Sequence, residues 1–123
     1  MGTVKFFCDT YALVEIVKGN NAYARFMAEE LHTSLLNLYE LYHNLLRDYD
    51  EETAREYFYQ FSSLLTPIMD QHIFAGAGFK RRNAKRNISY TDALGYAMAQ
   101  QEGMQFLTGD KEFEHEENVE FVK

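Results

Sequence analysis

Apolar and polar positions fall along the chain in blocks that predict strands and helices in turn. Val4 to Cys8 is a short apolar run closed by Asp9-Thr10. It predicts a buried strand feeding a helix that Asp9 or Thr10 caps and that runs to Lys18, where Gly19-Asn20-Asn21 stops it. A second helix is predicted from Ala22 to Glu30, followed by an extended piece from Leu31 to Ser34. The strongest periodicity lies in Leu35, Leu38, Tyr39, Tyr42, Leu45, Leu46 and Tyr49, the i, i+3, i+4, i+7 spacing of one apolar helix face. Asp50-Glu51-Glu52 opens another helix, rich in Tyr and Phe, to about Phe61, and Leu64 to Ile68 reads as a strand ending near Pro67. Asp70 starts a helix that carries a basic strip. Ser89 to Glu102 is a helix whose small residues Ala93, Gly95, Ala97 and Ala99 allow close packing on a sheet, and Gly103 ends it. Met104 to Leu107 is a strand, Thr108-Gly109-Asp110 a turn, and Val119 to Val122 a last short strand.

Strands alternating with helices imply a parallel sheet covered on both faces, an α/β fold. The 123 residues, 46% of them hydrophobic, suffice for one core, and one proline with seven glycines leaves no linker-like tract, so one domain spanning residues 1–123 is expected. No apolar stretch approaches the roughly 20 residues of a membrane span, and the N-terminal stretch lacks the pattern of a signal peptide; a cytoplasmic protein without membrane contact is expected. Cys8, the lone cysteine, lies in an apolar run and reads as a small buried hydrophobe. His32, His43, His72 and His115 form no ligand-spaced pair, which argues against zinc. No phosphate-cradling glycine motif of the common nucleotide-binding folds is present.

A net charge of −7 argues against coating nucleic acid by bulk electrostatics. Yet Lys80, Arg81, Arg82, Lys85 and Arg86 gather five of the twelve basic residues into one short window without an acid. If the helix continues through it, Arg82, Lys85 and Arg86 share a face and could bind RNA phosphates, with Tyr90 close by for stacking. A solvated basic end meeting the helix dipole explains the strip equally well.

In an open α/β sheet, ligands collect beyond the carboxyl ends of the strands, and Asp9 and Asp110 each follow a predicted strand. Asp92 lies in the first turn of the small-residue helix, and Glu40 lies on the long amphipathic helix. Each has a structural explanation. Asp9 fits an N-cap, Ser89-Tyr90-Thr91-Asp92 fits a capping box, Asp110 fits a turn cap, and Glu40 falls opposite the Leu/Tyr stripe as a solvated glutamate would.

Considered together, Phe6-Phe7-Cys8-Asp9-Thr10, Ser34 followed by Glu40-Leu41, Thr91-Asp92-Ala93 with Ala97 and Ala99, and Leu107 to Phe113 with Asn118 to Phe121 resemble the ordered motifs of PIN domains, particularly the VapC-type toxins. The resemblance covers about residues 3 to 122. It implies a three-layer α/β/α fold around a parallel sheet of four to five short strands, and a metal-dependent endoribonuclease held in check by a cognate antitoxin and often homodimeric. It implies that Asp9, Glu40, Asp92 and Asp110 hold Mg²⁺ or Mn²⁺, that Thr10 and Thr108 support them, and that Glu112 stands where some relatives add a further acid. Clustered carboxylates repel one another, and a hard divalent ion relieves that conflict. A catalytically silent interaction module on the same fold is the alternative. A phosphoryl-transfer enzyme of the haloacid-dehalogenase type would want an aspartate where Tyr11 stands.

Overall fold

The order of elements follows the alternation read from the sequence. The computed structural model describes residues 4–123. Its elements are β1 (Lys5–Cys8), α1 (Thr10–Lys18), a 3₁₀ helix (Asn21–Ala28), β2 (Glu30–His32), α2 (Leu35–Asp48), α3 (Glu51–Ser62), α4 (Asp70–Arg82), α5 (Tyr90–Gln101), β3 (Gln105–Thr108), a 3₁₀ turn (Lys111–Phe113) and β4 (Val119–Phe121). The four strands form one parallel sheet in the order β2-β1-β3-β4. After β1 the chain moves outward to β2, then crosses to the other side of β1 to lay down β3. The carboxyl ends of β1 and β3 therefore flank a topological switch point, the place where α/β sheets open a crevice.

Period-two alternation divides the strand residues between two cores. Phe6 and Cys8 of β1 and Leu107 of β3 face one layer, with Ala12 and Leu13 of α1, Leu38, Leu41 and Leu45 of α2, and Ala54 and Phe61 of α3. Phe7 and Phe106 face the other, against α5 and Phe113. Both faces are dry, so these strands read as nearly continuous apolar runs. The approach of α5 to the sheet is close enough to need glycine: a Cβ at Gly95 would stand 2.8 Å from the Phe7 ring.

Several expectations are adjusted. The segment expected as a helix from Ala22 to Glu30 is a 3₁₀ helix that yields to β2, since only Tyr23 and Phe26 are buried, three residues apart, as a three-residue turn requires. The strand expected at Leu64 to Ile68 shrinks to a single bridge between Thr33 and Leu65, closed by the Thr33 and Thr66 amides; beyond it Pro67 has no N–H to extend a ladder. In α2 the buried face is centred on Asn37, Leu38, Leu41 and Leu45, whereas Leu35, Tyr39, Leu46 and Tyr49 of the predicted stripe are exposed. The helix is thus rotated from the expected setting, and the rotation leaves Glu40 half-buried at the margin of the core. Among the described residues no helix is long and apolar enough to cross a membrane.

Candidate active site

Asp9 ends β1 and caps α1. One carboxylate oxygen accepts from the Ala12 amide at 2.9 Å, the other accepts from the Thr108 hydroxyl, and the side chain is buried. Thr108 closes β3, and its hydroxyl oxygen also accepts from the Asp110 amide at 3.0 Å. One hydroxyl thus ties the residues following two neighbouring strands. The turn after β3 again needs a glycine, because a Cβ on Gly109 would run into the Tyr11 ring of α1 and the Val122 carbonyl beyond β4.

Glu40 enters from the other side. Thr10, next to Asp9, donates its hydroxyl to Glu40 Oε1 at 2.7 Å and accepts from Asn37 Nδ2 at 3.2 Å. Asn37 is fully buried, and its Oδ1 accepts from the hydroxyl of Ser34, the N-cap of α2, at 2.6 Å. Ser34, Asn37, Thr10 and Glu40 form one satisfied polar chain through the base of the site, which fixes the rotation of α2 relative to α1. Asn37 was not among the residues singled out from the sequence. The sequence carried no signal for it, since Asn37 lies off the predicted Leu/Tyr stripe and its partner Thr10 belongs to another helix.

Asp92 stands in the first turn of α5, whose N-cap Ser89 accepts from the Asp92 amide at 3.0 Å. Asp110 caps the turn after β3 and accepts from the Glu112 amide at 3.0 Å. The caps anticipated at Asp9, Ser89 and Asp110 are therefore present, and they coexist with the proximity of the acids. Burial, reinforced by Asp92 and Asp110, pushes the Asp9 carboxyl up to about 8 despite the opposing hydrogen bonds from Thr108 and Ala12. Burial, then Asp110 and more weakly Glu40, pushes Asp92 up to about 6, with Ser89 opposing. Asp9, Asp92 and Asp110 thus lie within Coulombic reach of one another, and Glu40 reaches the group through Asp92.

Every donor in this set is a hard oxygen, which suits Mg²⁺ or Mn²⁺. Among the described residues no three His, Cys, Asp or Glu side chains stand close enough to grip an ion as placed. The carboxylates are nonetheless within electrostatic range, and each oxygen that accepts one hydrogen bond keeps a second lone pair. The donor chemistry fits a hard divalent ion, and gripping one would require the acids to draw closer than they stand.

Other assigned residues sit elsewhere. The Glu112 carboxylate pairs with Arg86 Nε at 3.4 Å. The shared helical face expected for Arg82, Lys85 and Arg86 does not form. Helix α4 ends at Arg82, where the Asn83 side chain donates to the Phe79 carbonyl at 2.8 Å, so Lys85 and Arg86 lie in the following turn. Arg82 and Lys85 are exposed, whereas Arg86 points inward to Glu112 and Glu116. Lys80 donates to the Ile88 carbonyl at 2.7 Å, with its ammonium 4.7 Å from the centre of the exposed Tyr90 ring. Cys8 is buried, and burial pushes its thiol up. His72 is buried against Glu102 at 2.9 Å, with its other ring nitrogen accepting from the Met69 amide.

Residues 6–117 match the PIN domain family, and the chain belongs to it. Its structure is similar to that of VapC20 of Mycobacterium tuberculosis, a sarcin-ricin loop cleaving toxin, with 20% identity and a TM-score of 0.77 over 95% of this chain and 96% of that one. It is also similar to a chain of a toxin-antitoxin complex from Klebsiella pneumoniae, with 17% identity and a TM-score of 0.74 over 93% and 94% of the two chains. A third similar chain comes from VapBC2 of Rickettsia felis bound to a DNA fragment from its promoter, with 16% identity and a TM-score of 0.74 over 97% and 98%. A comparison with curated protein sequences finds no match.

Proposed function

We propose that this protein is a metal-dependent endoribonuclease that hydrolyses RNA phosphodiester bonds, and that it is the toxin of a type II toxin-antitoxin pair, held by a cognate antitoxin and acting as a homodimer in the cytoplasm. The observation that carries the proposal is the gathering of Asp9, Glu40, Asp92 and Asp110 at the switch point, where burial and mutual repulsion push Asp9 to about 8 and Asp92 to about 6. Capping alone does not require these acids to share one place. Collecting them costs stability in the metal-free fold, and a divalent cation offsets that cost. The resemblance to proteins that include a loop-cleaving toxin and toxin-antitoxin complexes supports the same reading at the level of fold.

Asp9, Glu40, Asp92 and Asp110 would hold Mg²⁺ or Mn²⁺, which when bound polarises a phosphoryl oxygen and lowers the pKa of a coordinated water. The chain's own contribution is orientation. The Ala12 amide and Thr108 fix Asp9, Thr10 fixes Glu40, and the Glu112 amide fixes Asp110. Asp92, half-buried in the first turn of α5, would orient or deprotonate the attacking water. The exposed Arg82 and Lys85 supply the cations that an acidic site needs to retain a polyanion.

The test is RNA cleavage in chelator and after addition of Mg²⁺ or Mn²⁺, for wild type and Asp92→Asn. Cleavage that depends on the ion and fails in the variant is expected. A catalytically silent interaction module, favoured by the absence among the described residues of a ready-made metal-gripping trio, would cleave under no condition.

A further inference from the structure

Asp110 and Asp92 repel one another, yet each stands beside an irregular segment. Asp110 opens a one-turn 3₁₀ segment, and Asp92 follows the stretch from Asn83 to Ser89 that links α4 to α5. Something must hold these two segments together against the charge between them.

The geometry points to Arg86 as a positioning residue that clamps the Asp110 loop to the segment leading into Asp92. Its functional half rests on the nuclease reading above. The guanidinium spans the gap with four contacts. Nη2 donates to the Glu112 carbonyl, Nε to the Glu112 carboxylate at 3.4 Å, and Nη1 to both Glu116 Oε1 at 2.8 Å and Asn83 Oδ1 at 3.0 Å. Arg86 is itself held in the linker, its amide donating to the Asn83 carbonyl at 2.9 Å and its carbonyl accepting from the Ile88 amide at 3.0 Å. Ile88 is buried and directly precedes Ser89, the cap of α5.

From Glu112 the contacts run on into the site. The Glu112 amide donates to Asp110, the Asp110 amide to Thr108, and the Thr108 hydroxyl to Asp9. Arg86 therefore sits at the outer end of a continuous chain of hydrogen bonds ending on the buried acid. A planar guanidinium meets these four acceptors from three separated nitrogens, whereas a lysine has three donors on a single atom. With two carboxylates already on it and 30% of its side chain exposed, Arg86 has little left for a phosphate. The acid at position 112 thus serves as the clamp's anchor.

The experiment compares wild type, Arg86→Met and Arg86→Lys by three readouts: hydrogen exchange of the amides from Asp110 to Glu112 in metal-free protein, Mn²⁺ affinity by calorimetry, and RNA affinity in chelator. For Arg86→Met the expected results are faster exchange confined to that loop, Mn²⁺ affinity weaker by about 10- to 100-fold, the usual range for lost outer-shell support, and unchanged RNA affinity. Turnover should fall through kcat while KM for RNA holds, and Arg86→Lys should recover only part of the loss. Glu116→Gln, which removes one contact and leaves the rest, should give a smaller effect of the same kind, and it serves if Arg86→Met does not fold. Unchanged exchange in the loop, full recovery by lysine, or loss of RNA affinity with Mn²⁺ binding intact would overturn the clamp. Wild type that neither binds Mn²⁺ nor cleaves RNA contradicts the nuclease reading, and the exchange comparison still decides whether Arg86 holds the loop.

Discussion

The two halves of the carboxylate cluster are built differently. Asp9 and Glu40 are anchored by helix caps and by hydroxyls of residues at the edge of the core, through Thr108, Thr10 and Asn37. Asp92, in the first turn of α5, and Asp110, at the head of the 3₁₀ turn, are half-buried and rest on local caps, with Arg86 bridging the segments beside them. The first half is tied to the sheet and to α2, so its geometry is inherited from the fold. The second half depends on a loop and a linker, the part of a site that local opening disturbs first. Substitutions in the two halves should accordingly differ in whether they change stability, metal affinity or both.

The largest effect is expected at Asp9. A carboxyl whose folded-state pKa is raised to about 8 from an ordinary value of 3.8 favours the fold when protonated, so the metal-free protein loses stability as pH rises from about 4 to about 8. Asp9→Asn removes that penalty. In chelator its melting temperature should exceed that of wild type at pH 8 and approach it at pH 4. Part of the gain is lost because an amide offers one acceptor where the carboxylate offered two. RNA cleavage should nevertheless fall by at least about 100-fold, since the anchored ligand has gone. A variant more stable and inactive separates the two consequences of one charge; a variant less stable at every pH would show that hydrogen bonding dominates.

Asp92→Asn comes next. Asp92 is only half-buried, so thermal denaturation should move little, whereas Mn²⁺ affinity and cleavage should both drop by about 100-fold. In wild type, Mn²⁺ affinity should rise between pH 5 and pH 8 as the carboxyls at about 6 and about 8 lose their protons. Calorimetry across that range checks both expectations.

Asn37→Ala probes the anchored half without touching a ligand. Removing a buried, hydrogen-bonded amide leaves the Thr10 and Ser34 hydroxyls short of partners, with an expected loss of about 1–3 kcal/mol in chemical denaturation. Mn²⁺ affinity should weaken by about tenfold as Glu40 loosens. The smallest effect is expected at the surface: Arg82→Ser with Lys85→Ser should leave metal binding alone and reduce the salt dependence of RNA binding by a slope of about 2.

The strands and helices were legible because each core face imposes its own period: β1 and β3 alternate between two dry layers, and α5 carries small residues where it meets Phe7. The acids at strand ends were legible for the same reason, since β1 and β3 locate Asp9 and Asp110. Less legible was anything decided by a contact between distant segments. The Leu/Tyr stripe of α2 did not reveal that Asn37 would turn inward, because its partner Thr10 lies on another helix. The basic strip looked uniform in one dimension. Asn83 then ends α4, and Glu112 and Glu116 draw Arg86 away from Arg82 and Lys85. The pairing of Glu112 with Arg86 was hidden for the same reason, since 26 residues separate them.

The central claim, that acids from both halves serve one ion, is tested most directly by calorimetric titration of metal-stripped protein with Mn²⁺, comparing wild type, Asp9→Asn and Asp110→Asn. Binding by wild type that is lost or weakened by at least about 100-fold in both variants is the predicted result. Wild-type affinity retained in either variant would contradict a single shared site.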